Sequence, residues 1–207
     1  MASPAIKGTL FAAVVADLHA AIEAKSVTPE QLERQLEARD LSLLEEKVNP
    51  AGWYDIHSYH RIVELLCDAE GGGHEGYWHA RGERAARRMV EAGIYQQMDY
   101  LGRTLARRAS DPAGRFAALG KDMRLLMTLH ASMLNFGAWK CVVDPDHEDR
   151  YRVEIREVRG IPDGIFLAAA GMFNEMSVMA HDPGTSLHWE FRRMSPDLVV
   201  IGMTHGI

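Results

Sequence analysis

The stretch DMRLLMTLHASMLNFGAWKCVVDPDHEDRYRVEIREVRGIPDGIFLAAAG, residues 122–171, decides the fold, because its hydrophobic period changes repeatedly along its length. Met123, Leu126, Met127, His130, Met133 and Leu134 recur at helical spacing and share one face. Trp139, Cys141 and Val143 then alternate with Lys140, Val142 and Asp144, the period of a half-buried strand. Asp144-Pro145-Asp146 opens a turn, after which Tyr151, Val153 and Ile155 alternate with Arg150, Arg152, Glu154 and Arg156. One face of this hairpin is apolar and the other charged, so one side is wet. Residues Gly160 to Asp163 break the second strand. Pro162 suits a first helical turn, and Ile165, Ala168, Ala169, Met172, Phe173 and Met176 supply the buried stripe of the helix that follows.

The pattern repeats toward the C-terminus. His181-Asp182-Pro183-Gly184 makes a turn, Leu187, Trp189 and Phe191 alternate as a third strand, and Ser195-Pro196-Asp197 turns into a fourth from Leu198 to Thr204. Leu198-Val199-Val200-Ile201 is apolar on both faces, which places that strand inside the sheet rather than at an edge. Upstream, helical spacing dominates. Phe11, Val14, Leu18, Ala21 and Ile22 line one helix; Thr28-Pro29, with Gln31 three residues after Thr28, starts a short charged helix running to about Arg39. A further helix spans about Ile56 to Ala69 with Ile56, Tyr59, Val63, Leu66 and Cys67 inward, and Gly71-Gly72-Gly73 stops it. Two more cover Tyr77 to Glu91, ending at Gly93, and Ile94 to Arg108. The class is therefore α+β: a helical N-terminal two thirds and a C-terminal helix–hairpin–helix–hairpin carrying a four-stranded antiparallel sheet. The length of 207 residues suits one domain over 1–207, mainly helical in 1–120 and carrying the sheet in 121–207.

Composition narrows the function. A net charge of -6 argues against a general nucleic-acid binder, and the clusters Arg81, Arg84, Arg87, Arg88 and Arg103, Arg107, Arg108 read as solvated helix faces paired to nearby acids. Cys67 and Cys141 are too few for a disulfide framework or a cysteine zinc site, and both lie in apolar patterns as free thiols. The run from Leu10 to Leu18 is interrupted by Asp17 and reads as an amphipathic helix, not a signal peptide, and no stretch is long enough to span a membrane. A soluble cytoplasmic protein is expected.

Catalytic signatures are weak. Gly71, Gly73 and Gly76 match the dinucleotide glycine spacing, but a helix precedes them where a strand is required. His57 with His60, and His74 with His79, each offer two metal ligands without a third in a recognised spacing, so no metal site is assigned. No nucleophile elbow occurs, and no enzyme is expected. His130 is different. A histidine in a Met- and Leu-rich seam is either a core imidazole satisfied by a backbone carbonyl or a ligand for haem iron. The methionines and aromatic residues on the facing elements mark Met127, His130, Leu134, Trp139, Phe166 and Met172 as candidate ligand-binding residues, since the thioether adapts to varied apolar surfaces.

The order of elements, with Lys7-Gly8-Thr9 at the start of the helical part, resembles a superfamily containing haem-nitric-oxide-binding domains, 4-vinyl-reductase-type ligand-binding domains and TRAPP vesicle-tethering subunits. The resemblance runs from about Ile6 to Thr204. It is nearest to an uncharacterised bacterial family with a segment like Leu134-Asn135-Phe136-Gly137 before a hairpin and a Gly-Ile-Pro-like junction before a helix. It implies an apolar cavity between sheet and helices for a small or lipid-like ligand, and a sensor or regulatory role. In haem-binding members a helical histidine before the hairpin ligates iron, and His130 matches that position. Their Tyr-x-Ser-x-Arg motif, which holds the propionates, is not matched: Val153 and Ile155 stand where serine and arginine would follow Tyr151, and Arg156 or Arg159 are the nearest substitutes. The expectation is thus an apolar ligand without an obligatory cofactor. The alternatives are a haem-based gas sensor using His130, and a structural subunit forming a homodimer or binding a signalling partner.

Overall fold

The computed structural model describes residues 3–91, 93, 111–180 and 188–206. The expected helix over 94–108, with its arginine cluster, and the turn at 181–184 lie outside the described residues. The chain divides into two compact units, residues 1–78 with 132–136, and residues 79–131 with 137–207.

In the first unit, β1 (Ala5–Lys7) pairs antiparallel with β2 (Trp53–Asp55). Between them run α1 (Gly8–Glu23), α2 (Pro29–Gln35) and α3 (Ala38–Glu45); α4 (Ile56–Gly71) follows β2. Phe11, Val14 and Leu18 of α1 and Ile56, Ile62, Val63, Leu65 and Leu66 of α4 are buried. The segment after the long helix returns to this unit: the Asn135 side chain accepts the Ala5 N–H at 2.6 Å, and Leu134 bridges to Ile6. Thr28 and Gln31 form the expected reciprocal cap of α2. The charged helix nevertheless stops at Gln35, because Leu36 and Glu37 are extended and Glu37 with Asp40 makes a second reciprocal cap that starts α3. Behind that cap Asp40, fully buried, receives Arg61 Nε at 2.6 Å and Nη2 at 2.9 Å. At Gly8 the chain passes so close to the Asn49 carbonyl that a Cβ would overlap it.

The second unit holds most of α5 (Gly76–Glu91) and of α6 (Pro112–Met133), then β3 (Ala138–Asp144), β4 (His147–Arg156), α7 (Asp163–Ala180), β5 (Trp189–Ser195) and β6 (Leu198–Met203). The sheet is antiparallel in the order β3-β4-β6-β5. β6 is interior, as its two apolar faces require. Tyr151, Val153 and Ile155 of β4 face the helices with Val199, Ile201 and Met203 of β6, all buried. On β3 the inward row Trp139, Cys141 and Val143 is wetter than alternation implies, Val143 being exposed, because β3 is an edge. α5 and α7 approach through glycine: a Cβ at Gly82 would overlap the Ala168 carbonyl, and one at Gly171 the His79 carbonyl. Among the described residues no helix is long and apolar enough to cross a membrane.

Candidate functional site

α6 delivers His130 to the interior of the second unit, where it is 2% exposed. Its Nδ1 lies 3.3 Å from the Leu126 carbonyl one turn back, so that nitrogen carries the proton and Nε2 keeps its lone pair. Burial pushes the imidazole down to about 4, against a smaller upward pull from the Leu126 carbonyl, and the ring is neutral at physiological pH. Trp139 of β3 tilts against it at 4.9 Å between centroids and Phe173 of α7 at 5.6 Å.

The rings continue outward in two branches. Trp139 meets Phe166 of α7 at 6.3 Å, and Phe166 stacks on Phe191 of β5 at 6.0 Å with Arg193 over its face. Phe173 meets Trp189 edge-on at 5.7 Å. The Trp189 indole donates to Ser177 at 2.9 Å, and its backbone N–H donates to the Asn174 side-chain oxygen at 2.6 Å. Arg193 is held by Asp163 at 2.6 Å and by the Ile161 carbonyl at 2.8 Å, which caps the Phe166 branch with a fixed cation.

Of the six residues marked by sequence, His130, Trp139 and Phe166 join in this aromatic chain. Met127 and Met172 are buried on α6 and α7, and Leu134 lies in the first unit beside Ile6. Phe173, Trp189, Phe191 and Arg193 complete the ring system. The alternation of Trp189 and Phe191 put both on one face, but only the strand order shows that they reach Phe166 and Phe173. The histidine pairs do not gather ligands: His60 stacks on Trp78 at 5.0 Å with Glu64 beside it, and His79 turns to Asn174. Among the described residues no group of three or more His, Cys, Asp or Glu could hold a metal ion.

No protein-family model matches the chain, and no curated protein does. Solved structures do. The Fe(II) unliganded H-NOX protein from K. algicida superimposes with a TM-score of 0.58 at 11% identity, over 96% of this chain and 95% of that one. The H-NOX protein from S. oneidensis in the Fe(II)NO ligation state gives 0.54 at 12% identity, over 96% and 98%. A variant of the T. tengcongensis H-NOX gives 0.51 at 12%, over 98% and 100%. The chain has the H-NOX fold. Of the three families in the resemblance, the likeness is to the haem-nitric-oxide-binding one, and at these identities it concerns fold alone.

That fold implies haem, and the residues fit it in part. A neutral imidazole with Nδ1 turned to a carbonyl is a suitable axial donor. The carboxylate side does not match. Tyr151 stacks on Phe116 at 4.2 Å and lies with Val153 and Ile155 in the core, and the nearby cation is Arg124 of α6, not a β4 arginine. Arg152 and Arg156 project from the opposite face of β4 and share Glu154, at 2.5 and 3.0 Å. Propionates need cationic or hydroxyl donors on the haem side, and of the β4 triplet only the Tyr151 hydroxyl offers one, so the triplet does not supply the anchor that the motif provides.

Proposed function

We propose that this chain is a non-enzymatic ligand-sensing domain on the H-NOX fold, taking an apolar or lipid-like small molecule against the aromatic face around His130. The observation that carries this is a buried, neutral imidazole with one lone pair, surrounded by Trp139, Phe173 and the Phe166 branch. Met127 and Met172, on the same two helices, are the flexible wall such a ligand would displace. His130 would supply its one directional contact, accepting a hydrogen bond at Nε2 from a ligand hydroxyl or acid group. Ligand arrival would be transmitted through the rings to β5, which is tied to α7 by Asn174 and Ser177.

Native mass spectrometry of the purified protein, with tryptophan emission followed during titration with palmitate and with anilinonaphthalene sulfonate, tests this. A bound apolar species, or a saturable emission change that His130→Ala alters, is expected. Protein free of ligand whose emission neither probe moves would end the proposal.

A second reading, haem held by His130, is favoured by the fold and by the Nδ1 contact with Leu126. It requires carboxylate anchors other than the β4 triplet. When bound, haem would supply the binding of a diatomic gas at iron. Hemin added to the purified protein should then give a Soret band that His130→Ala removes, and protein that stays colourless excludes haem while leaving the apolar ligand open.

A further inference from the structure

The face of the sheet bearing Arg152, Gly202 and Glu190, opposite the buried row of Val153 and Ile201, carries a groove of about 430 Å³ that the His130 cluster does not touch. Its floor is β6, where Gly202 has no side chain: a Cβ there would meet only Arg152 Cβ, at 3.9 Å. In register, Gly202 lies between Arg152 of β4 and Glu190 of β5, and Val200 in the next row lies between Glu154 and Arg192. With β6 between them, β4 and β5 stand about 10 Å apart, too far for their short-range pairing across an empty glycine. Arg150, Arg152 and Arg192 all line the groove, together with His147 and His205.

Two of these guanidinium groups are incompletely satisfied. The Nε atoms of Arg150 and Arg152 are buried and have no hydrogen-bond partner among the described residues. Each cation has an acid nearby, but the pairing leaves donors over: Arg152 gives Nη2 to Glu154 at 2.5 Å and Arg150 Nε lies 3.8 Å from Asp149, beyond a hydrogen bond. Asp144 is committed to the turn, accepting the Asp146 N–H at 2.8 Å with His147 at 3.5 Å. Glu190 stands 3.7 Å from Arg192 and 4.0 Å from His188, both longer than a hydrogen bond. Asp146 is exposed at the rim. A buried Nε–H without an acceptor is costly, and an arriving oxyanion would relieve it.

We propose that this groove is an oxyanion site, binding the phosphate or carboxylate group of a small molecule over Gly202 between Arg150, Arg152 and Arg192. Planar guanidinium forks match both groups, and the absent side chain at residue 202 leaves room for the anion to lie on the strand. The site does not depend on what His130 binds.

Calorimetric titration of the full chain with inorganic phosphate and, separately, with succinate tests it. Saturable binding of either is expected, weakening in high salt; the better probe identifies the group. Arg192→Met, at a largely exposed side chain, should lower affinity about tenfold. Gly202→Leu should abolish binding with the melting temperature unchanged, because the space above it is open. Absence of saturable binding by both probes, or binding that persists in folded Gly202→Leu, would overturn the proposal.

Discussion

His130 Nδ1 sits 3.3 Å from the Leu126 carbonyl in the same helix, a contact that sets the tautomer and partly offsets the downward push of burial on the imidazole. Burial holds the folded-state value at about 4, below the unfolded value near 6.5, so the unfolded chain binds the proton first as pH falls. The contribution is therefore fully present above pH 6.5 and is lost as pH falls toward 4. A shift of that size corresponds to roughly 3 kcal/mol. His60 is also depressed to about 4, by burial first and then by His57 and Arg61, and adds to the same acid limb. Urea unfolding between pH 4 and 8 should show a shallower acid limb in His130→Phe than in the parent; superimposable curves would show that His130 does not titrate on unfolding.

In the first unit the Asp40–Arg61 pair is the sharpest target. Burial raises the Asp40 carboxyl, but Arg61, Ser58 and the Glu37 backbone outweigh it and hold the group below its ordinary value. Stability from this depression is present above pH 3.8 and fades as pH falls through the lower folded value. Arg61→Met leaves the fully buried Asp40 carboxylate with only Ser58, the Glu37 N–H at 3.0 Å and a distant Arg39 at 4.0 Å, and should cost roughly 3 kcal/mol. Arg61→Met with Asp40→Leu should recover a large part of that loss in chemical denaturation, because the uncompensated charge is gone.

How much of this was legible in the chain follows from which residues carry a periodic signal. Leu198 to Ile201, apolar on both faces, announced an interior strand, and β6 is interior. The strands Ala5–Lys7 and Trp53–Asp55 went unseen because three residues are too few to display a period of two. The break between Gln35 and Ala38 was hidden because Glu37 is an unusual cap and its partner Asp40 reads as one more charge in a charged stretch. Leu134 continues the apolar face of α6 in sequence, yet the helix ends at Met133 and Leu134 pairs with β1. The aromatic chain joins residues far apart in sequence, so its members were visible singly and their contacts only through the register of β5 with β6.

The glycine crossing of α5 and α7 makes a packing prediction. Gly82→Val and Gly171→Val both drive a side chain into a backbone carbonyl, which cannot rotate aside. Each should destabilise by roughly 1–3 kcal/mol or more, read as a fall in melting temperature of about 2–4 °C per kcal/mol. Gly76→Ala is the control: nothing lies within 4 Å of its added Cβ, and it should be neutral or slightly stabilising.

Asn174 ties the second hairpin to the helices through three bonds. Its oxygen accepts the Trp189 N–H at 2.6 Å, and its amide nitrogen lies 2.6 Å from His79 Nε2 and 3.3 Å from His188 Nδ1. The residue is buried, so Asn174→Leu keeps the volume but leaves the Trp189 N–H and the His79 acceptor without it. The expected loss is about 1–3 kcal/mol, concentrated where β5 begins, since the Trp189 indole retains only Ser177. Asn174→Asp still accepts from Trp189 but has no N–H to give His79, so it should fall between parent and Asn174→Leu. Amide hydrogen exchange separates these outcomes. Faster exchange confined to Trp189–Met203 in Asn174→Leu, with β3 and β4 unchanged, places the latch at Asn174. A uniform acceleration across all four strands would mean that the residue serves the core generally and does not hold β5 in particular.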